Sequence, residues 1–295
     1  MSNKNSTFRK TMTINFGKVI MDFSTSKIMG ILNLTPDSFF DGGKFSSIDK
    51  AIIQTEKMLL EGADIIDIGA VSTRPGAFHV TEKEELDRLL PVLKKLIKHF
   101  PEIIISIDTY RSKVAKICIE EGASCINDIS GGQFDNEMFN TIAHYDIPYV
   151  LMHIYGTPEN MQKHPISNDI IKIVSSFFTE NIKRLNSLGL NKIILDPGFG
   201  FGKTLECNYK LLHKLKKISS DNYPVLTGIS RKSMINKILN TNPEEALNGT
   251  SILHTIALLN GTNILRVHDV KEAKQAIDIV SYYTNINHNS SLCKD

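Results

Sequence analysis

The chain has 295 residues, 41% of them hydrophobic, and a formal net charge of +2. That is enough apolar material for one large α/β barrel or two smaller domains, and charge so evenly mixed excludes a nucleic-acid surface. Cys118, Cys125, Cys207 and Cys293 have neither CxxC nor zinc spacing, so they read as reduced thiols, three of them packing residues.

Residues 1–18 lack an apolar signal core and no stretch is long enough to span a bilayer, so a cytoplasmic protein is expected; so short a leader leaves a cleaved organelle address open. Thr11 to Phe23 alternates apolar and polar residues around Gly17, which predicts a small hairpin closing one end of a barrel. From Lys27 a rhythm of apolar strand and amphipathic helix begins. The expected strands are Ile28–Leu34, Asp64–Gly69, Ile103–Thr109, Cys125–Ser130, Ile147–Ile154, Lys192–Asp196, Pro224–Ser230 and Asn263–Val267. The expected helices are Ser47–Gly62, Thr81–Phe100, Arg111–Gly122, Asn168–Leu188, Leu205–Ile218, a pair between Ser233 and Asn260, and Lys271–Tyr283. Thr81 stands three residues before Glu84, the spacing of a capping box.

Strands alternating with helices predict a parallel sheet, and eight such units of about 37 residues predict a (β/α)8 TIM barrel, with an open doubly wound sheet as the alternative. The expected division is a leader and hairpin over 1–26, one barrel domain over 27–285 and a polar tail over 286–295.

Chemistry in such a barrel sits at the C-terminal ends of the strands. Those ends carry Asn33, Asp67, Asp108, Asn127 with Asp128, His153, Asp196, Ser230 followed by Arg231 and Lys232, then Arg266 and His268. Polar residues are ordinary where loops begin. Asp, Asn and Arg inside apolar runs are not, because burying them without partners costs several kcal/mol each.

Ile193–Lys203, IILDPGFGFGK, concentrates the signal: a short strand, a carboxylate at its end, then a loop alternating Gly and Phe. It is not a P-loop, since Pro197 stands where the first Gly is required, and it misses the GxGxxG spacing by one residue. Asp108, Asn127, Asp196 and Lys232 mix acceptors with donors and suit a fused ring with an amino-amide edge. Arg74, Arg266 and His268 suit an anion, as does the strand-to-helix segment Ser230–Ser233. For Arg74 and Arg231 a salt bridge to a neighbouring acid is an equal expectation. The chain lacks the HxH of zinc hydrolase barrels and the GxSxG elbow, and His153 alone is expected to be a hydrogen-bonded structural residue.

Eight motifs now stand in order: GILNLTPDSFFDGG (30–43), DIIDIGAVSTRPGA (64–77), SIDTYR (106–111), INDISGG (126–132), LMHIYGTPENMQ (151–162), LDPGFGFGK (195–203), GISRKS (228–233) and RVHDV (266–270). With them the chain closely resembles the dihydropteroate synthase family. The resemblance implies a homodimeric (β/α)8 barrel that condenses 6-hydroxymethyl-7,8-dihydropterin diphosphate with 4-aminobenzoate, in the presence of Mg2+. The products would be 7,8-dihydropteroate and diphosphate, in folate biosynthesis, at the step that sulfonamides target.

Residue by residue, it implies that Asp108, Asn127, Asp196, Lys232, Met152 and Gly228 hold the pterin and that Arg266 stacks on it. Asn33, Thr73, Arg74, Arg266 and His268 would hold the diphosphate, with Asn33 also facing Mg2+. Thr73, Pro75, Phe201, Lys232 and Ser233 would frame the aminobenzoate, and Asp37, Ser38, Phe39 and Asp41 would lie on a closing loop. The chain departs from the family pattern at Ala70-Val71, usually Gly-Glu, and at Tyr155, often Lys. A folate-to-corrinoid methyltransferase of the same barrel would not need TPDSF, SRKS and RVHD. A non-catalytic pterin-binding paralogue would be expected to lose Asn33, Arg266 or Lys232.

Overall fold

The computed structural model describes residues 12–34, 47–72, 80–218 and 222–286. Within them the chain forms a hairpin, β1 (Thr13–Asn15) and β2 (Ile20–Asp22), and then eight parallel strands: β3 (Lys27–Asn33), β4 (Ile65–Gly69), β5 (Ile105–Asp108), β6 (Cys125–Asp128), β7 (Tyr149–Met152), β8 (Ile193–Asp196), β9 (Leu226–Thr227) and β10 (Ile264–Val267). Their order is β8-β7-β6-β5-β4-β3-β10-β9. A parallel bridge between Leu195 and Val225 joins the two edges, and Leu195 donates its N–H to the Pro224 carbonyl at 2.9 Å. This is the expected (β/α)8 barrel.

The helices are α1 (Ser47–Leu60), α2 (Glu82–His99), α3 (Ser112–Glu120), α4 (Met138–Tyr145), α5 (Ile170–Ser187), α6 (Leu205–His213), α7 (Leu215–Ile218), α8 (Ser233–Leu239), α9 (Leu247–Leu259) and α10 (Val270–Asn285). The capping box forms: the Thr81 hydroxyl accepts from the Glu84 N–H at 3.3 Å, and the Thr81 N–H donates to the Glu84 carboxylate at 2.8 Å. Gly62, Gly122 and Gly189 carry the chain out of α1, α3 and α5 at φ of 103°, 102° and 90°, in the left-handed region that a side chain disfavours.

Two elements correct the expectation. A helix not foreseen, α4, follows β6; at eight residues it is too short for its period to stand out, yet it buries Met138, Phe139 and Ile142. The single helix expected over Leu205–Ile218 breaks at Lys214 into α6 and α7.

The strands explain the interior. Inward positions recur every second residue, so each strand offers one residue low in the barrel and another two places higher. The low layer is Met29, Ile65, Ile104, Cys125, Val150, Ile194, Leu226 and Ile264. Hairpin residues Ile14, Phe16, Met21 and Phe23 pack onto it and close that end, as the alternation around Gly17 predicts. Each of these four side chains, all about 5% exposed, stabilises the fold by about 1.5–3 kcal/mol through burial.

The charged mouth of the barrel

Two residues above the apolar layer the character reverses. Ile65 is followed by Asp67, Cys125 by Asn127, Val150 by Met152, Ile194 by Asp196, Leu226 by Gly228 and Ile264 by Arg266. Asp108 stands level with them, since β5 pairs Asp108 with Gly69 on one side and Asn127 on the other. Asn33, the last residue of β3, also pairs with Gly69.

Arg266 organises one half of this ring. Its Nε donates to Asp67 Oδ2 and its Nη2 to Asp108 Oδ2, each at 2.7 Å. Asp67 Oδ2 also accepts from Asn127 Nδ2 at 2.9 Å. Burial pushes the Asp108 carboxyl up to about 7, against the pull of the Arg266 guanidinium. Burial alone would disfavour the charge on Arg266; Asp67 and Asp108 more than offset it and hold the guanidinium above its ordinary range.

Lys232 organises the other half. Its ammonium donates to the Phe199 carbonyl at 2.6 Å and lies 4.7 Å above the centre of the Phe201 ring. Burial pushes it down to about 8, with Asp196 opposing. The Asp196 carboxyl is in turn raised by burial and drawn back by Lys232, and its Oδ1 accepts from the Gly198 N–H at 2.7 Å. Gly228 faces this group without a side chain; a Cβ there would stand 3.7 Å from Lys232 Nζ and 3.9 Å from Arg266.

The Gly-Phe loop is shaped by a buried lysine. Lys203 Nζ donates to the carbonyls of His153, Gly198 and Phe201 at 3.0, 2.7 and 2.9 Å, and burial pushes its pKa down to about 7. Gly198 has φ +68° and passes so close to β7 that a Cβ would sit 2.0 Å from the His153 carbonyl. Phe201 thereby joins Met152, Ile129, Ile154 and Met161 in an apolar wall beside the charges.

The mouth thus collects Asp108, Asn127, Asp196, Lys232, Arg266, Met152, Gly228 and Phe201, with Asn33 at the rim. His268 is exposed, its Nδ1 3.0 Å from Ser230 Oγ, and Ser233 opens α8 on the surface. Arg231 takes the salt-bridge alternative: its Nε and Nη2 each donate to Asp269 at 2.8 Å, and its Nη1 to the Pro243 carbonyl at 2.9 Å. The His153 ring meets Phe177 edge-on, and its Nδ1 has no partner among the described residues. Burial pushes its pKa down to about 3, so it is neutral at physiological pH. Asp37, Ser38, Phe39, Asp41, Thr73, Arg74 and Pro75 lie outside the described residues.

Three residues assigned no role from the sequence prove central. Asp67 and Lys203 are described above. Asp128 accepts from the Ser130 and Gly132 N–H groups and the Tyr149 hydroxyl at 2.7, 2.8 and 2.7 Å, tying down the loop after β6. The signal for Asp67 is the alternation in IIDIG; Lys203 carries none, since its partners are loop carbonyls brought together by the fold. Two clefts, of about 410 and 700 Å³, border the hairpin at the opposite end of the barrel.

The mouth of the barrel thus sets carboxylates, an amide and two cations beside an apolar wall, a lining that suits a flat, polar heterocycle. The family model described as pterin binding enzyme matches residues 29–268. Dihydropteroate synthase of Escherichia coli is 43% identical over 262 residues, 88% of this chain and 92% of that protein. The crystal structure of the Yersinia pestis dihydropteroate synthase with a sulfonamide drug superimposes with a TM-score of 0.87 at 41% identity, covering 93% of this chain and all of that one. The Xanthomonas albilineans dihydropteroate synthase with 4-aminobenzoic acid gives 0.87 at 33% identity, over 94% and 99% of the two chains. The chain belongs to the dihydropteroate synthase family of pterin-binding enzymes and is a transferase of folate biosynthesis.

Proposed function

We propose that the charged mouth condenses 6-hydroxymethyl-7,8-dihydropterin diphosphate with 4-aminobenzoate through the residues it gathers there. The observation that carries this assignment is the mixed set of Asp108, Asn127, Asp196, Lys232 and Arg266 in one ring of side chains. Carboxylates accept, Lys and Arg donate and Asn does both, the pattern an amino-oxo heterocycle needs on its edges. Arg266 has two of its nitrogens committed to carboxylates, which fixes the plane it offers for stacking on the ring. Phe201 and Met152 supply apolar surface, and Phe201 with Lys232 and Ser233 would frame the arylamine. Asn33 and His268 stand at the rim where the diphosphate would lie; from the sequence, Thr73 and Arg74 are assigned to the diphosphate, Thr73 and Pro75 to the aminobenzoate, and Asp37, Ser38, Phe39 and Asp41 to a closing loop.

The mouth favours a dissociative displacement. Asp108 and Asp196 would favour positive charge on the ligand ring. As the C–O bond to the diphosphate breaks, the pterin ring spreads positive charge from its methylene carbon, and these carboxylates stabilise it. The arylamine nitrogen then forms the C–N bond and releases one proton to solvent, with diphosphate as the leaving group. Closure of the two early loops assigned from the sequence would keep water from capturing the cation.

Among the described residues no three His, Cys, Asp or Glu side chains converge on a metal site. That fits Mg2+, which binds through one or two protein oxygens and takes the rest of its shell from substrate phosphate and water. Asn33 would supply the protein oxygen, and the bound ion would neutralise charge on the leaving diphosphate.

The Yersinia relative binds a sulfonamide drug. An arylamine of that class would compete with 4-aminobenzoate here. A homodimer fits the apolar surface of Ile252, Ile256 and Leu259 on α9 with Ile238 and Leu239 beside it, all 39% exposed or more. A cytoplasmic location fits three buried free thiols, and no helix among the described residues is long and apolar enough to cross a membrane.

The test is diphosphate release by the purified protein from the pterin diphosphate and Mg2+, with and without 4-aminobenzoate, for wild type and Lys232→Ala. Release that needs the arylamine and is lost in the variant supports synthase and pocket together. Pterin binding with no release under any condition would replace the enzyme by a binding paralogue.

A further inference from the structure

Asn127 has an amide whose two ends look alike in size and are opposite in hydrogen bonding, so something must decide which way it faces. Asp67 stands directly behind it. Asp67 is fully buried, and its Oδ2 takes both Asn127 Nδ2 at 2.9 Å and Arg266 Nε at 2.7 Å. A carboxylate held by an arginine accepts and does not donate. Turned over, the Asn127 amide would set its own oxygen against Asp67 Oδ2, two acceptors face to face in a buried place. Arg266 keeps that Asp67 oxygen in position, because its Nη2 is tied in turn to Asp108 at 2.7 Å. No other partner of the Asn127 amide, and none for Asp67 Oδ1, falls among the described residues.

We propose that Asp67 is a positioning residue that fixes the sense of the Asn127 amide, so that the mouth selects a heterocycle edge with a donor beside an acceptor over the same edge reversed. This rests on the reading of the mouth as a pterin pocket. With one Nδ2 hydrogen committed to Asp67, Asn127 shows the ligand its oxygen and its second N–H. That pair matches an amino group next to a bare ring nitrogen, the 2-amino and N1 edge of a pterin. In the corresponding lumazine N1 carries the hydrogen and C2 the oxygen, so each group would meet its own kind. A site built to pair with such an edge rejects a ligand that leaves its groups unmatched.

The experiment titrates 6-hydroxymethylpterin and 6-hydroxymethyllumazine into the full chain, as wild type, Asp67→Asn and Asp67→Ala. Asp67→Asn removes the charge but keeps an acceptor at the same point, because Arg266 Nε draws the amide oxygen to itself; the pterin-over-lumazine preference is retained. Asp67→Ala frees the amide to turn, and the ratio of the two affinities falls by about tenfold or more. The Asp196 carboxylate favours the amino group in every variant, so the change in the ratio reads Asp67. Thermal unfolding checks each protein, and Asp67→Leu, of similar shape, takes the place of an alanine variant that does not fold. An unchanged ratio in the folded Ala or Leu variant overturns the inference, and an equal fall in the Asn and Ala variants replaces orientation by charge. Absence of pterin binding by the wild type would overturn the pocket reading itself, a result distinct from tight binding with an unchanged ratio.

Discussion

The two ends of the barrel are made by the same strands and differ within two residues. On β4, Ile65 lies under the hairpin and Asp67 joins the mouth; on β6 the pair is Cys125 and Asn127, on β8 Ile194 and Asp196, on β10 Ile264 and Arg266. The lower end gains from every apolar group it buries, and no group there needs a particular partner. At the upper end each buried charge is costly alone and tolerable only beside another, so Asp67, Asp108 and Arg266 form a unit. The hairpin end therefore rests on apolar burial, and the mouth on specific partners.

Substitutions at the two ends should separate these roles. The largest effect is expected for Arg266→Ala, which leaves two carboxylates facing each other. Diphosphate release should fall by about 10²–10³-fold or more, and urea unfolding should show a loss of about 3–5 kcal/mol. A variant that kept wild-type turnover would remove Arg266 from the machinery. Phe16→Ala at the hairpin end should cost a similar 3–5 kcal/mol or so, while KM for both substrates stays within about twofold. A hairpin variant that changed KM selectively would show that the ends are coupled.

Arg231 and Lys232 give a finer comparison, since neighbours in sequence serve different ends of the argument between packing and chemistry. Arg231 is tied to Asp269 and to loop carbonyls, at 27% side-chain exposure. Arg231→Ala should cost about 1 kcal/mol of stability and leave kcat/KM within about threefold, by thermal melting and steady-state kinetics.

The smallest effect is a slope. Asp108 titrates at about 7 in the folded chain against an ordinary value of 3.8. Between these values the folded chain holds a proton that the unfolded chain has lost, so this group makes stability fall as pH rises through the window. Asp108→Asn should flatten the decline of melting temperature across it. A decline as steep as in the wild type would assign the proton to another group.

Much of the architecture was legible because it depends on patterns that repeat. The helix stops at Gly62, Gly122 and Gly189, the Thr81–Glu84 cap and the alternation around Gly17 are local, and each element forms where its spacing predicts. Short α4 and the break at Lys214 were not legible, since both depend on contacts of only one or two turns. At the mouth, Asp108, Asn127, Asp196, Lys232 and Arg266 could be picked out because charged residues end apolar runs. Lys203 could not: only the folded loop aims three carbonyls at one ammonium.

By itself the sequence determined which residues face inward, which end of each strand is polar and, through eight motifs in order, the family. The tertiary structure decided who partners whom. It gave Arg231, which follows β9, to Asp269 and Arg266, which lies in β10, to two aspartates. Periodicity is a property of neighbours along the chain, whereas the partner of a buried charge is set by which strands lie side by side around the barrel.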